Sequence, residues 1–166
     1  MDKEPMTPNG FAKIAKELEQ LKNVKRSEVA HEIQIAAQLG DLKENAEYHA
    51  AKEKMDHLEK RIALLEQFVA KAQVIDPKTL QHKRVSFGST VRLLDLESGQ
   101  EARYTIVGSV ESDASKGLIS IGSPLARVLI GKESGADVVA DLPSGIKEFE
   151  ILEVGFDEKP FSTEVR

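Results

Sequence analysis

The chain has 166 residues, of which 40% are hydrophobic, 31% charged and 5% aromatic, with no Trp, no Cys and a net charge of −5. The absence of Cys excludes disulfides and thiolate metal sites and is compatible with a reducing compartment. Scarce aromatics are a poor basis for stacking on nucleic acid, and neither half has the cation excess of a general phosphate binder: residues 1–78 hold 13 basic and 14 acidic side chains, residues 79–166 hold 10 and 14.

The opening "MDKEPMTPNGF" lacks the apolar core of a signal peptide. No uncharged run approaches the roughly 18 residues of a membrane helix. A soluble, cytoplasmic protein with no membrane partner is expected. Phe11, Ile14, Leu18 and Leu21 then begin a helical apolar stripe. It drifts through Val24, Val29, Ile33, Ala36 and Leu39, and the drift predicts a stutter in the first helix. From Tyr48 the apolar positions run Tyr48, Ala51, Met55, Leu58, Ile62, Leu65, Val69 and Ala72, an unbroken heptad seam.

The two stripes are separated only by residues near Gly40, and a short connection makes helices antiparallel neighbours. A hairpin over residues 1–75 follows, with its tip near 40–45. Gly40 suits a left-handed position closing the first helix. Asp41 suits the N-cap of the second, with Glu44 at capping-box spacing. Each helix of about 30 residues spans roughly 45 Å. Such a hairpin is too thin and too charged to bury its tip and is expected to project. On their own, the heptads suit a spacer or dimerisation element, and the cap accounts for both acids.

Pro77 ends the helical period, so residues 76–84 read as a linker. Strand-like alternation follows over 85–154. "STVRLLDL" and "EARYTIVGSV" flank the turn "ESGQ", and "GLISIGS" is a short strand. "SPLARVLIGK" is a short helix with Ser123 as N-cap and Pro124 at N1. "ADVVADL" and "IKEFEILEV" form a second hairpin, with Ile146, Phe149, Ile151 and Val154 alternating imperfectly. An α+β domain results, an antiparallel sheet covered by one short helix. Residues 155–166 are polar, without a period, and read as a flexible tail.

"GDLKENAEYHAAKE" closely resembles the signature of the bacterial transcript cleavage factors of the GreA/GreB family, nearer its GreA branch. "MTPNGFAKIAKELEQLK", "AQVID", "FGSTVRLLDLESGQEARYTIVG" and "SPLARVLIGK" extend the resemblance over about residues 6–154. It implies an N-terminal antiparallel coiled-coil hairpin followed by a C-terminal domain like that of FK506-binding proteins. It also implies a transcription elongation factor, an accessory factor and not itself an enzyme. The hairpin would enter the secondary channel of bacterial RNA polymerase and stimulate the polymerase's own cleavage of backtracked RNA. The matching tip acids are Asp41 and Glu44, which would complete the shell of a Mg²⁺ shared with the polymerase active centre. No useful metal site is expected in isolation. Asn45, Glu47 and Tyr48 would support the tip, and Lys43 and Lys52 would contact the nascent RNA 3′ end. Some relatives place an arginine at Ala37, so RNA contact here is expected to be modest. His49 and His57 read as surface histidines. A monomer is expected. The alternatives are a secondary-channel regulator without cleavage activity, a prolyl isomerase suggested only by the C-terminal fold, and a dimerising coiled-coil adaptor.

Overall fold

Ala51, Ile62 and Leu65 are buried, and Tyr48, Met55, Leu58 and Val69 half-buried, so the heptad positions of the second stripe do face a partner helix. The computed structural model describes residues 2–161 and divides into two units. One spans Ala12–Lys71; the other joins the N-terminal residues through Phe11 to the chain from Ala72 onward.

The first unit is an antiparallel helical hairpin. Its first arm comprises α1 (Pro8–Gln20), which begins in the other unit, a π-helical turn (Leu21–Lys25) and α2 (Arg26–Ala37); the second arm is α3 (Ala46–Lys71). Ile14, Val29 and Ala36 are buried on the first arm. Fully burying one such aliphatic side chain contributes about 1.5–3 kcal/mol. Charged pairs cross between the arms. Arg26 grips Glu59 at 2.8 and 2.9 Å and Arg61 grips Glu17 at 2.9 and 3.1 Å, with Lys54–Glu32 at 3.1 Å and Lys22–Glu66 at 3.3 Å. All are solvent-exposed pairs, each worth about 0.2–1 kcal/mol. The apolar seam therefore dominates stability, and the charges flank it.

The drift in the first stripe has a local cause that differs from the expected stutter. At the π turn the Arg26 N–H bonds the Leu21 carbonyl, five residues back. One residue more than an α-helix needs is accommodated there. Leu21 and Val29 are eight apart where a heptad would use seven, yet Val29, Ile33 and Ala36 return to the partner arm. Val24, inside the turn, is 45% exposed.

In the second unit, five strands take the order β5-β4-β3-β7-β6. They are β3 (Thr90–Asp95), β4 (Glu101–Val107), β5 (Leu118–Ser120), β6 (Asp137–Leu142) and β7 (Gly145–Gly155). All neighbours are antiparallel except β4 and β5, which are parallel, so the sheet is mixed rather than wholly antiparallel. The helix α4 (Pro124–Leu129) starts as the sequence predicts, with the Ser123 hydroxyl accepting the Ala126 N–H at 3.3 Å. Its Leu125, Ala126 and Leu129 pack on Leu93, Ile106 and Ile151. The step from Ile151 to Val154 in β7 contains a bulge: Ile151 and Glu153 pair successive residues of β3, leaving Leu152 over. Ile146, expected inward, is 70% exposed.

Two small strands were not legible as such. β1 (Glu4–Met6) pairs in parallel with β2 (Ala72–Val74), the segment read as the end of the coil. Beside them Thr7 caps α1, its hydroxyl accepting the Gly10 N–H at 3.0 Å and donating to Glu111. The Glu111 carboxylate also accepts the N–H groups of Thr7 at 3.3 Å and Gly108 at 3.1 Å. A Cβ at Gly10 would collide with that carboxylate, so a larger residue there would displace the Glu111 side chain from Thr7.

The expected linker contains a 3₁₀ turn (Pro77–Thr79) capped by Asp76. His82 ties it to the sheet, its ring nitrogens lying 2.7 Å from the Pro77 carbonyl and 2.6 Å from the Ser89 hydroxyl. The start of the expected flexible tail is built into this unit. Phe156 stacks on His82 at 5.0 Å and on Phe161 at 5.6 Å, Arg103 pairs with Asp157 at 2.8 Å, and Asn9 donates to the Phe161 carbonyl. Two phenylalanines in a polar stretch are enough to order it. Residues 162–166 of that tail lie outside the described residues.

The π turn generates a prediction. Deleting Val24 should convert it to ordinary α-helix and leave the seam in register, with thermal unfolding within a few degrees of the parent. Deleting Ala63 from α3 should swing Leu65 and Val69 out of the seam and cost several kcal/mol, as loss of buried aliphatic contacts does. Circular dichroism melts of the two deletions check this, and equal damage from both would contradict it.

Candidate functional site

The tip of the hairpin is residues 38–45, between the end of α2 and the start of α3. Helix ends leave backbone donors and acceptors without intrahelical partners. Here two ends meet within eight residues, and one side chain serves both. The Asn45 amide oxygen accepts the Tyr48 N–H at 3.0 Å, which makes Asn45 the N-cap of α3. Its amide nitrogen donates to the Ala36 carbonyl at 2.5 Å, in the last turn of α2. One planar group thus closes the first arm and opens the second.

This corrects two sequence expectations. Asp41 is not the cap of α3, which begins five residues later at Ala46. Asp41 satisfies the Asp-x-x-Glu capping pattern, but a carboxylate only accepts; it could not also donate to the Ala36 carbonyl. Asp41 instead accepts the Lys43 N–H at 3.0 Å, an Asx-turn that bends the tip on itself. Nor does Gly40 close α2. Gln38 does so in right-handed conformation, and Gly40 turns the chain two residues later at φ +141°, where a side chain would be strained.

The consequence for the acids is simple. One oxygen of Asp41 is engaged by a backbone N–H and the other has no partner among the described residues. Glu44 lies outside the helix, is exposed, and has no hydrogen bond or ion pair among the described residues. Both sit on the N-terminal side of α3, where the helix dipole favours negative charge and opposes a cation. The donors are hard oxygens, as Mg²⁺ prefers, and Mg²⁺ commonly takes one or two carboxylates and keeps its waters. The pair suits part of such a shell. Among the described residues, no three His, Asp or Glu side chains gather into a metal cage.

The remaining predicted residues sort by position. Glu47 lies exposed in the first turn of α3. Tyr48 is half-buried, in keeping with its seam position, and Lys52 lies over its ring at 5.3 Å. Lys43 points no ion pair at any described residue, Ala37 is half-buried and Gln38 exposed. His57 is exposed and faces Glu53 at 3.6 Å. His49, also exposed, is more than a surface residue. Its Nε2 lies 3.1 Å from the Lys43 carbonyl, which can only accept, so the ring donates. Its ring also packs edge-on against Tyr48 at 5.7 Å. Sequence spacing carries no signal for that role. Ile35, Leu39 and Leu42 surround the tip with apolar surface, Leu39 being 64% exposed.

A family model described as "Transcription elongation factor, N-terminal" matches residues 4–74, and "Transcription elongation factor, GreA/GreB, C-term" matches residues 80–156. Transcription elongation factor GreA of Helicobacter pylori (strain Shi470) is 57% identical over 158 residues, 95% of this chain and 96% of the relative. The GreA of Nautilia profundicola is 54% identical over 162 residues, 98% of this chain and all of the relative. Among solved structures, the GreA factor homolog Gfh1 of Thermus thermophilus is 24% identical with a TM-score of 0.43, covering 92% of this chain and 99% of that one. The GreA/GreB factor of Nitrosomonas europaea is 28% identical with a TM-score of 0.41, covering 65% of this chain and 93% of that one.

Replacing Asn45 tests the closure of the tip. Asn45→Ala should cost about 0.5–2 kcal/mol for the cap, while the Ala36 carbonyl keeps only its bond from the Leu39 N–H. Asn45→Asp keeps the cap and loses only the link to α2. Amide exchange should show the Tyr48 N–H protected in the aspartate variant and exposed in the alanine variant; equal protection in both would show that the cap lies elsewhere.

Proposed function

The chain belongs to the GreA/GreB family of transcription elongation factors, and from that premise we propose that it rescues backtracked RNA polymerase by bringing Asp41 and Glu44 to the polymerase active centre through its secondary channel. A backtracked complex has its RNA 3′ end extruded, and rescue requires hydrolysis of an internal phosphodiester. The observation that carries this reading is the tip itself: two carboxylates with free oxygens, held between two helix ends and exposed.

Asp41 and Glu44 would hold a Mg²⁺ jointly with the polymerase. Such an ion, when bound, neutralises charge building on the phosphate oxygens. The chain's own part is positional. The Asx-turn at Lys43 and the cap at Asn45 restrain the backbone on either side of the two carboxylates, which reduces the ordering left to occur in the complex. The free oxygen of Asp41 can also orient an attacking water. In this reading the hydrolysis belongs to the polymerase and the chain is an accessory factor, acting in the cytoplasm. Lys43 is the tip cation best placed for the RNA 3′ end. Lys52 is engaged with Tyr48, and Ala37 adds no charge, so the contact is slight and salt-sensitive. A monomer fits the same picture, because the partner arm already covers the seam positions of α3.

The test is cleavage in stalled complexes with wild-type protein, Asp41→Asn and Glu44→Gln. Each variant should slow cleavage about 10²-fold or more, the scale at which lost active-site geometry is felt. Affinity for polymerase and helix content should stay near wild type. Unchanged cleavage in both variants would remove the carboxylates from the mechanism. A wild-type factor that binds polymerase yet accelerates nothing would leave a channel-binding regulator instead. Sedimentation should return the monomer mass at all concentrations.

A further inference from the structure

We propose that His49 is a positioning residue for Glu44: its Nε2–H, donated to the Lys43 carbonyl, fixes the peptide unit from which Glu44 extends. This rests on the reading of Glu44 as a working carboxylate and assigns the group that aims it. Four observations carry it. Glu44 has no side-chain partner of its own among the described residues, so its direction comes from the backbone. The peptide joining Lys43 to Glu44 presents its carbonyl to His49 at 3.1 Å. The preceding peptide is held from the other side, its Lys43 N–H bonded to Asp41 at 3.0 Å. His49 stands on the rigid first turn of α3, where its own N–H bonds the Asn45 carbonyl at 3.1 Å and its ring rests edge-on against Tyr48.

A peptide plane free to rotate would carry the Glu44 side chain with it, because rotation about the bonds flanking a peptide redirects the next Cα–Cβ vector. The Asx-turn alone pins only the N–H side of Lys43. The imidazole pins the carbonyl side, so the two acids are linked through one residue: Asp41 holds the entry to Lys43 and His49 the exit. The distance requires the tautomer, or the protonated form, that carries hydrogen on Nε2. His49 is exposed and its one ring contact among the described residues is the edge of Tyr48, so little packing rests on it.

Two variants distinguish donation from bulk. Gln places an amide N–H at nearly the reach of Nε2 and is a good helix former, while Leu fills space and donates nothing. In the full-length protein, His49→Leu should slow cleavage of backtracked RNA about 10- to 100-fold at saturating factor, with polymerase affinity and thermal stability near wild type. His49→Gln should restore most of the rate. Independently of cleavage, the Glu44 amide resonance in NMR spectra of the isolated protein should shift and broaden in His49→Leu and return toward wild type in His49→Gln, while resonances from the middle of α3 stay in place. Wild-type cleavage by His49→Leu, or equal damage from both substitutions, would overturn the proposal. If the wild-type protein stimulates no cleavage, the reading of Glu44 fails and the NMR arm alone decides whether His49 orders the tip: a Glu44 amide indifferent to both substitutions would refute it.

Discussion

Two helices that reverse direction within eight residues bring together the unpaired carbonyls of one end and the unpaired N–H groups of the other. That constraint shapes the functional end of this molecule. A buried loop could meet it with neighbouring chain, but an exposed tip must meet it from within. Backbone bonds from Gln38 and Leu39 meet part of it, and the Asn45 amide joins the two ends by accepting from Tyr48 and donating to Ala36. Because Asn45 takes that duty, Asp41 is released to bend the tip and Glu44 is released altogether. An aspartate in place of Asn45 could cap α3 but would meet the Ala36 carbonyl with a second acceptor. The division of labour among three neighbouring polar residues thus follows from which of them can donate as well as accept.

Rigidity behind the tip comes from the seam. Ile62 and Leu65 are almost wholly buried and face an arm that contributes Ile14, Val29 and Ala36. Bidentate Arg26–Glu59 and Arg61–Glu17 pairs border this strip and restrain sliding more than they add stability. In the other unit, Thr7 does for the start of α1 what Asn45 does for α3, accepting the Gly10 N–H and donating to Glu111, more than a hundred residues away.

The heptads of α3, the position of the tip, the β-hairpins and the cap of α4 were legible in the sequence, because each is set by residues close together in the chain. The Asp41 cap was misread for a reason of the same kind. Asp41 with Glu44 and Asn45 with Tyr48 both satisfy the local spacing, and what separates them is a bond to Ala36, across the turn. Pairing of β1 with β2, the reach of Glu111 to Thr7 and the stacking of Phe156 on His82 are long-range and leave no periodic trace. Within the candidate site, the acids were marked by resemblance alone. The role of His49 needed coordinates, since a histidine four residues beyond an N-cap has no characteristic pattern.

The π turn at Leu21–Lys25 has a consequence for how such hairpins diverge. It resembles a healed insertion: the surplus residue is swallowed in one loosened coil, and everything beyond it meets the opposing arm as before. Chains of this kind can therefore gain or shed single residues partway along an arm while the far extremity keeps its placement.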